Sequence, residues 1–207
     1  MKKNLFLAIL GIAILVSISE TIFQLNNNPS IQFRIQPYLA RFFIISGLPE
    51  QAFQQIGKVA DYKLQNTNLK VSESLNVPNL SKNRELKKMY VVFLDENKND
   101  LLNSMDYNFW SKTFYRLGIL AYQYNEPELF ESFLQSAINF SPQWSYFHIE
   151  LANYYLINGK KEKSEENLKK CIELIDPSRH CQQFYDYNFT QELTEEVGFL
   201  EKTIEKL

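Results

Sequence analysis

Residues 117–140, LGILAYQYNEPELFESFLQSAINF, and residues 151–174, LANYYLINGKKEKSEENLKKCIEL, carry one pattern twice, 34 residues apart. Leu117, Gly118, Ala121, Leu134, Ala137, Ile138 and Phe140 recur as Leu151, Ala152, Tyr155, Leu168, Cys171, Ile172 and Leu174. A period of this length, mixing small and large apolar residues, is the mark of stacked helical hairpins. One hairpin cannot bury its apolar face alone, so neighbours share a core and wind into a superhelix with a concave surface. The pattern leads to an all-α scaffold and not, by itself, to chemistry.

Moving towards the N-terminus, Leu39, Ala40, Phe43, Ala52, Ile56 and Val59 stand 78 residues before Leu117, Gly118, Ala121, Phe130, Leu134 and Ala137. A helix is expected from about Phe33 to Ile45, broken at Ser46-Gly47-Leu48-Pro49. Pro49 suits the first turn of the next helix, and Glu50 favours the positive end of its dipole. The interval before Leu117 has room for one degenerate unit and an insertion. Residues 64–82 are rich in Asn, Ser and Pro and fit that insertion, whereas Met89–Leu94 reads equally as a buried strand or a helix end. Helices are expected at 104–123, 127–140, 144–158 and 161–175, followed by a capping helix over 179–205. The resulting division is 1–23, a tether at 24–32, a first hairpin at 33–62, an insertion at 63–106, and repeats with their cap at 107–207.

The block Leu117-Gly118, Ala121, Leu134, Ala137, Pro142, then Leu151-Ala152, Tyr155, Gly159, Leu168, Pro177, resembles tetratricopeptide repeats over about 33–62 and 107–178. Phe130 and Ser164 depart from that family's usual alanine, and Phe114 and His148 from its usual tryptophan. The resemblance implies an α-solenoid that binds a protein or peptide, with no particular ligand specified. Tyr122, Tyr124, Tyr154 and Tyr155 are the candidate groove residues, with packing as the competing use of each.

Lys2 and Lys3 precede an apolar run from Leu5 to Val16 that continues through Ile18 to Glu20, with Thr21-Ile22-Phe23 beyond. A basic end ahead of such a run directs a chain to the membrane. An uncleaved anchor needs about 20 apolar residues, and the run has that length if Glu20 sits at the outer interface. Ser17 and Ser19 instead allow cleavage as a signal peptide, and a buried core helix is a third reading. Either export route leaves the body extracytoplasmic, single-pass if anchored and secreted if cleaved, because the positive charges lie on the N-terminal side. Cys171 and Cys181 flank the Asp176-Pro177-Ser178 break, and an oxidising compartment would let them form a disulfide. The alternative is that Cys171 fills the small-residue site that Ala137 fills one period earlier.

Twenty-two basic and 24 acidic residues leave a net charge of −2 with no basic stripe, which argues against a nucleic-acid partner. Two histidines, no Gly-rich phosphate loop and no nucleophile elbow give no footing for an enzyme. His148 falls on a packed position, His180 in a turn, and Trp110 and Trp144 near helix starts, as core aromatics do. Asn188-Phe189-Thr190 fits a glycosylation acceptor, a triplet common by chance.

One stretch has clear chemical content. Asp95, Asn97, Asn99 and Asn103 offer side-chain oxygens at alternate positions, Leu101 a carbonyl, and Asp106 closes a twelve-residue loop. Calcium takes six to eight such oxygens from a flexible array. The stretch resembles the calcium loop of EF-hands, and of dockerin modules in its Asn103-Ser104-Met105-Asp106-Tyr107 ending. Asp100 stands at the turn usually given to glycine, and Asn99 lowers the ligand charge. The competing reading is a polar linker whose Asn and Asp residues make turns and cap a helix. The function expected is a membrane-anchored extracytoplasmic scaffold for a protein or peptide partner in an envelope-associated assembly. An obligate structural subunit of a larger complex is the alternative, and an accessory to an envelope-polymer enzyme ranks third.

Overall fold

The computed structural model describes residues 29–64, 68–77, 83–174 and 179–190, and every regular element among them is helical. The elements are α1 (Pro29–Ile45), α2 (Pro49–Lys63), α3 (Val71–Ser74), α4 (Arg84–Asn103), α5 (Tyr107–Gln123), α6 (Pro127–Phe140), α7 (Ser145–Ile157), α8 (Lys161–Leu174) and α9 (Arg179–Tyr185), with a π-helical turn at Asp186–Thr190. The all-α fold class expected from the sequence is the one observed. Residues 1–28, 191–207 and the Pro177 break lie outside the described residues, and with them the anchor, most of the tether and most of the expected cap. Among the described residues no helix is long and apolar enough to cross a membrane.

The chain forms two compact units. One contains α1, α2, α3 and residues 91–103 of α4; the other contains residues 84–90 of α4 and everything from α5 onward. In the first unit α1 packs on α2, and α2 on α3. Gly57 permits the second contact, because a Cβ there would come within 2.5 Å of the Ser72 Cα. Asp61 secures it: its carboxylate accepts from the Val71 and Ser72 N–H groups (2.6 and 3.3 Å) and from the Ser72 hydroxyl.

In the second unit α5 packs on α6, α7 on α8, and α9 against both α7 and α8. Phe114, Leu117, Ala121, Leu134, Ala137, Leu151, Ala152, Leu168 and Cys171 are buried, so the repeated apolar positions do form the core. Each fully buried leucine contributes about 1.5–3 kcal/mol. Cys171 of α8 and Cys181 of α9 are joined by a disulfide, with their Cα atoms 6.2 Å apart. The first two turns of α4 are held by Asn83, whose amide donates to the Tyr124 carbonyl (2.9 Å) and to Glu126 (3.0 Å), and by the Tyr90 hydroxyl donating to the Leu117 carbonyl (3.1 Å).

The α1–α2, α5–α6 and α7–α8 hairpins turn in the same way. Gly47, Asn125 and Gly159 have φ of 68°, 62° and 71°. Beyond each left-handed residue the next N–H reaches back five residues: Leu48 to the Phe43 carbonyl (2.9 Å), Glu126 to Ala121 (2.9 Å) and Lys160 to Tyr155 (2.8 Å). The left-handed residues themselves donate to Ile44, Tyr122 and Leu156 (each 3.0 Å). This paired closure satisfies the carbonyls that a helix end leaves open. The following helices then start alike, with Ala52, Phe130 and Ser164 donating to Leu48, Glu126 and Lys160.

Candidate functional site

α5 and α7 are the first helices of two successive hairpins, and aromatic side chains join them. The Tyr115 and Tyr146 hydroxyls are hydrogen-bonded at 2.5 Å, their rings edge-on with centroids 5.2 Å apart. Tyr115 also meets Phe147 (5.4 Å), and Trp144 stacks on Phe147 (5.6 Å). Lys112 places its ammonium 4.8 Å above the Trp144 ring. Burial, followed by the bond to Tyr146, pushes the Tyr115 phenol far above its usual range. Burial also raises the Tyr146 phenol and the Glu150 carboxyl one turn on, the latter partly offset by a bond to Tyr146. The result is a half-buried polar patch of hydroxyl and carboxyl groups framed by aromatic rings.

Tyr122, two turns beyond Tyr115, is 51% exposed and leans on Phe130 (5.1 Å) and Tyr154 (6.4 Å). Together Tyr115, Tyr122 and Tyr146 give α5 and α7 a face that offers rings and hydroxyls at once. Such side chains anchor partners at low entropic cost.

The four tyrosines named from the sequence fare differently. Tyr122 is available and Tyr124 is half-buried. Tyr154 and Tyr155 are spent on packing: the Tyr154 ring lies 4.7 Å from Phe130, and the Tyr155 hydroxyl donates to Glu131 (2.9 Å). Burial pulls the Glu131 carboxyl upward, but bonds from Tyr155, Lys163 and Lys160 outweigh it and hold the group below its usual value. Tyr115 and Tyr146 were the missed members. Tyr115 follows the buried Phe114 and Tyr146 precedes the buried Phe147, so each sits next to a core position on the adjoining face of its helix.

Asp95, Asn97, Asn99, Leu101 and Asn103 lie in the last turns of α4, where a loop was expected. At 3.6 residues per turn, Asp95, Asn99 and Asn103 share one side while Asn97 and Leu101 take the opposite one. The helix therefore does not gather the six expected ligands into one shell. Asn97 donates to the Phe93 carbonyl (2.7 Å), Asp95 pairs with Lys98 (2.6 Å), and Asn99 accepts from Arg41 (3.3 Å). Asp106 is the N-cap of α5, accepting from the Asn108 N–H at 2.9 Å. The physical reason is periodicity: Leu86, Tyr90, Phe93, Leu94 and Leu101 are buried at helical spacing, with neither glycine nor proline between Arg84 and Asn103.

His148 is buried, its Nε2 3.1 Å from the Pro142 carbonyl, while Asn167 donates to the His148 carbonyl at 2.6 Å. Burial holds its imidazole below the usual value, against the pull of those neighbours. Trp110 is fully buried, Trp144 is half-buried, and His180 is exposed. No protein-family model, curated protein or solved structure matches this chain.

Proposed function

We propose that the protein is a membrane-tethered, extracytoplasmic scaffold whose tetratricopeptide-like hairpins hold a protein or peptide partner on the α5–α7 face. The observation that carries this reading is the recurrence of one hairpin turn, closed by a left-handed residue and the same pair of backbone bonds, in all three hairpins. A turn repeated at the sequence period supports stacked modules, and stacked modules present their first helices side by side. In this reading Tyr122 and the Tyr115–Tyr146 pair are the anchors. Hydroxyls and the half-buried Glu150 carboxyl favour a partner that brings its own backbone or amide groups to the face. In this reading the N-terminal apolar run supplies the tether.

The test is a photo-crosslinking residue at position 122, with the same residue at Lys88 on the exposed side of α4 as control. In the native membrane, one discrete product at position 122 and none at position 88 is the expected result. Equal labelling at both positions, or none at position 122, would remove the α5–α7 face from the account.

A further inference from the structure

α1 presents two faces. Gln36, Ala40 and Ile44 are buried, whereas Arg34, Tyr38, Arg41, Phe42 and Ile45 form one exposed stripe at helical spacing. Tyr38 is 72% exposed, Phe42 60% and Ile45 84%. Isolated exposed apolar residues are ordinary, but a contiguous stripe marks an interaction surface. Its charge is one-sided: α1 contains two arginines and no acidic residue, in a chain of net charge −2. Arg41 reaches the amide oxygen of Asn99 (3.3 Å), and Asp95, one turn before Asn99, is paired with Lys98. Arginines flanking exposed aromatic and aliphatic side chains are the composition of a helix lying in a lipid headgroup region.

Chain length points to the same occupant. The apolar run ends at Phe23 and α1 begins at Pro29. Residues 24–28 span at most about 18 Å fully extended, so a run inserted in a bilayer keeps α1 near that bilayer's surface. We propose that the Arg34–Tyr38–Arg41–Phe42–Ile45 face of α1 seats on an anionic phospholipid surface, with the three apolar side chains among the acyl-chain ends and both guanidiniums on phosphates. This inference deepens the membrane-tethered reading and rests on it for the second argument alone. Seating α1 would fix the hairpin at the membrane instead of leaving it on a free leash.

The experiment uses the full chain with an environment-sensitive NBD label at Phe42→Cys, repeated at Ile45→Cys, and a control label at Lys88→Cys. Cys171 and Cys181 are bonded to each other and leave the label on the introduced thiol. The protein is reconstituted into phosphatidylcholine vesicles with and without phosphatidylglycerol, about one lipid in three, and anchoring is scored separately by alkaline carbonate extraction. The expected result is a blue-shifted, brightened label at positions 42 and 45 in the anionic vesicles only. The shift should be lost in Arg34→Gln/Arg41→Gln and in high salt, and absent at position 88. A wet label on chain that resists extraction overturns the proposal and leaves the tether standing. A shielded label on extractable chain overturns the tether and keeps the proposal. Shielding that follows protein concentration rather than lipid charge makes the face a protein contact and also overturns the proposal.

Discussion

The α1–α2 hairpin and the two hairpins of the C-terminal unit share a turn and a core pattern, yet they meet their surroundings differently. Ala40, Ala52, Ile56 and Val59 are as buried as Gly118, Phe130, Leu134 and Ala137. Outward, Tyr38, Phe42 and Ile45 correspond by the repeat to Arg116, Leu120 and Gln123, and then to Glu150, Tyr154 and Ile157. The first set is exposed and apolar; the others are mostly polar or covered, Tyr154 by Phe130 and by the Lys160 ammonium 5.8 Å from its ring. Internal positions, then, are governed by the hairpin, and external ones by what each hairpin faces. That contrast separates a proposed lipid-facing helix from a proposed partner-facing pair.

The largest effect that should distinguish the units is redox. The Cys171–Cys181 bond closes a short loop within the C-terminal unit, and its removal costs about 2–3 kcal/mol in the chain-entropy account. Reducing agent should lower the urea midpoint of α7–α9, followed by hydrogen exchange, and leave the exchange of α1–α3 unchanged. Equal loosening of both would contradict the division into two units.

Glycine tests the comparison from the other side. Gly57→Ala drives a methyl into the Ser72 backbone, which has no rotamer to yield, so a loss of about 2–3 kcal/mol is expected in the first unit. Gly118→Ala meets the Leu134 side-chain tip at 3.1 Å, which can rotate away, and should cost about 1 kcal/mol or less. Thermal melts of the two variants check the order.

How much of this was legible beforehand depends on what each residue had to do. Small residues such as Ala137 and Ala152 sit where helices touch, so packing forces them and the period announces them. The turns were legible for the same reason, since Gly47 and Gly159 fill a left-handed position. Residues 95–103 were misread because oxygen-bearing side chains alternate there, while the buried Leu86–Leu101 series, which decides the backbone, runs at helical spacing underneath. The tyrosines divided by a criterion that periodicity lacks: Tyr154 and Tyr155 lie under neighbouring side chains, and Tyr122 does not.

A smaller, pH-dependent effect belongs to the C-terminal unit alone. Burial keeps His148 below its usual 6.5 in the folded chain. The unfolded chain therefore binds that proton first, and this contribution to stability is present above 6.5 and is lost as the pH falls below it. Glu150 runs the opposite way: burial raises it above its usual 4.5, so its favourable contribution is full below 4.5 and fades as the pH rises through the elevated value. His148→Phe should flatten the decline in stability from neutral towards mildly acidic pH. Glu150→Gln should stabilise the unit near neutrality and change nothing under acid conditions.

The repeated turn is the central claim, and the left-handed residues test it most directly through urea unfolding of Gly47→Ala, Gly159→Ala and Asn125→Gly in the full chain. A Cβ at Gly47 or Gly159 meets nothing within 4 Å, so any cost is conformational. The account predicts losses of about 1–2 kcal/mol for each alanine variant and a gain of several tenths of a kcal/mol for Asn125→Gly. A neutral Gly47→Ala beside a costly Gly159→Ala would contradict it, because the first hairpin would then not share the turn of the others.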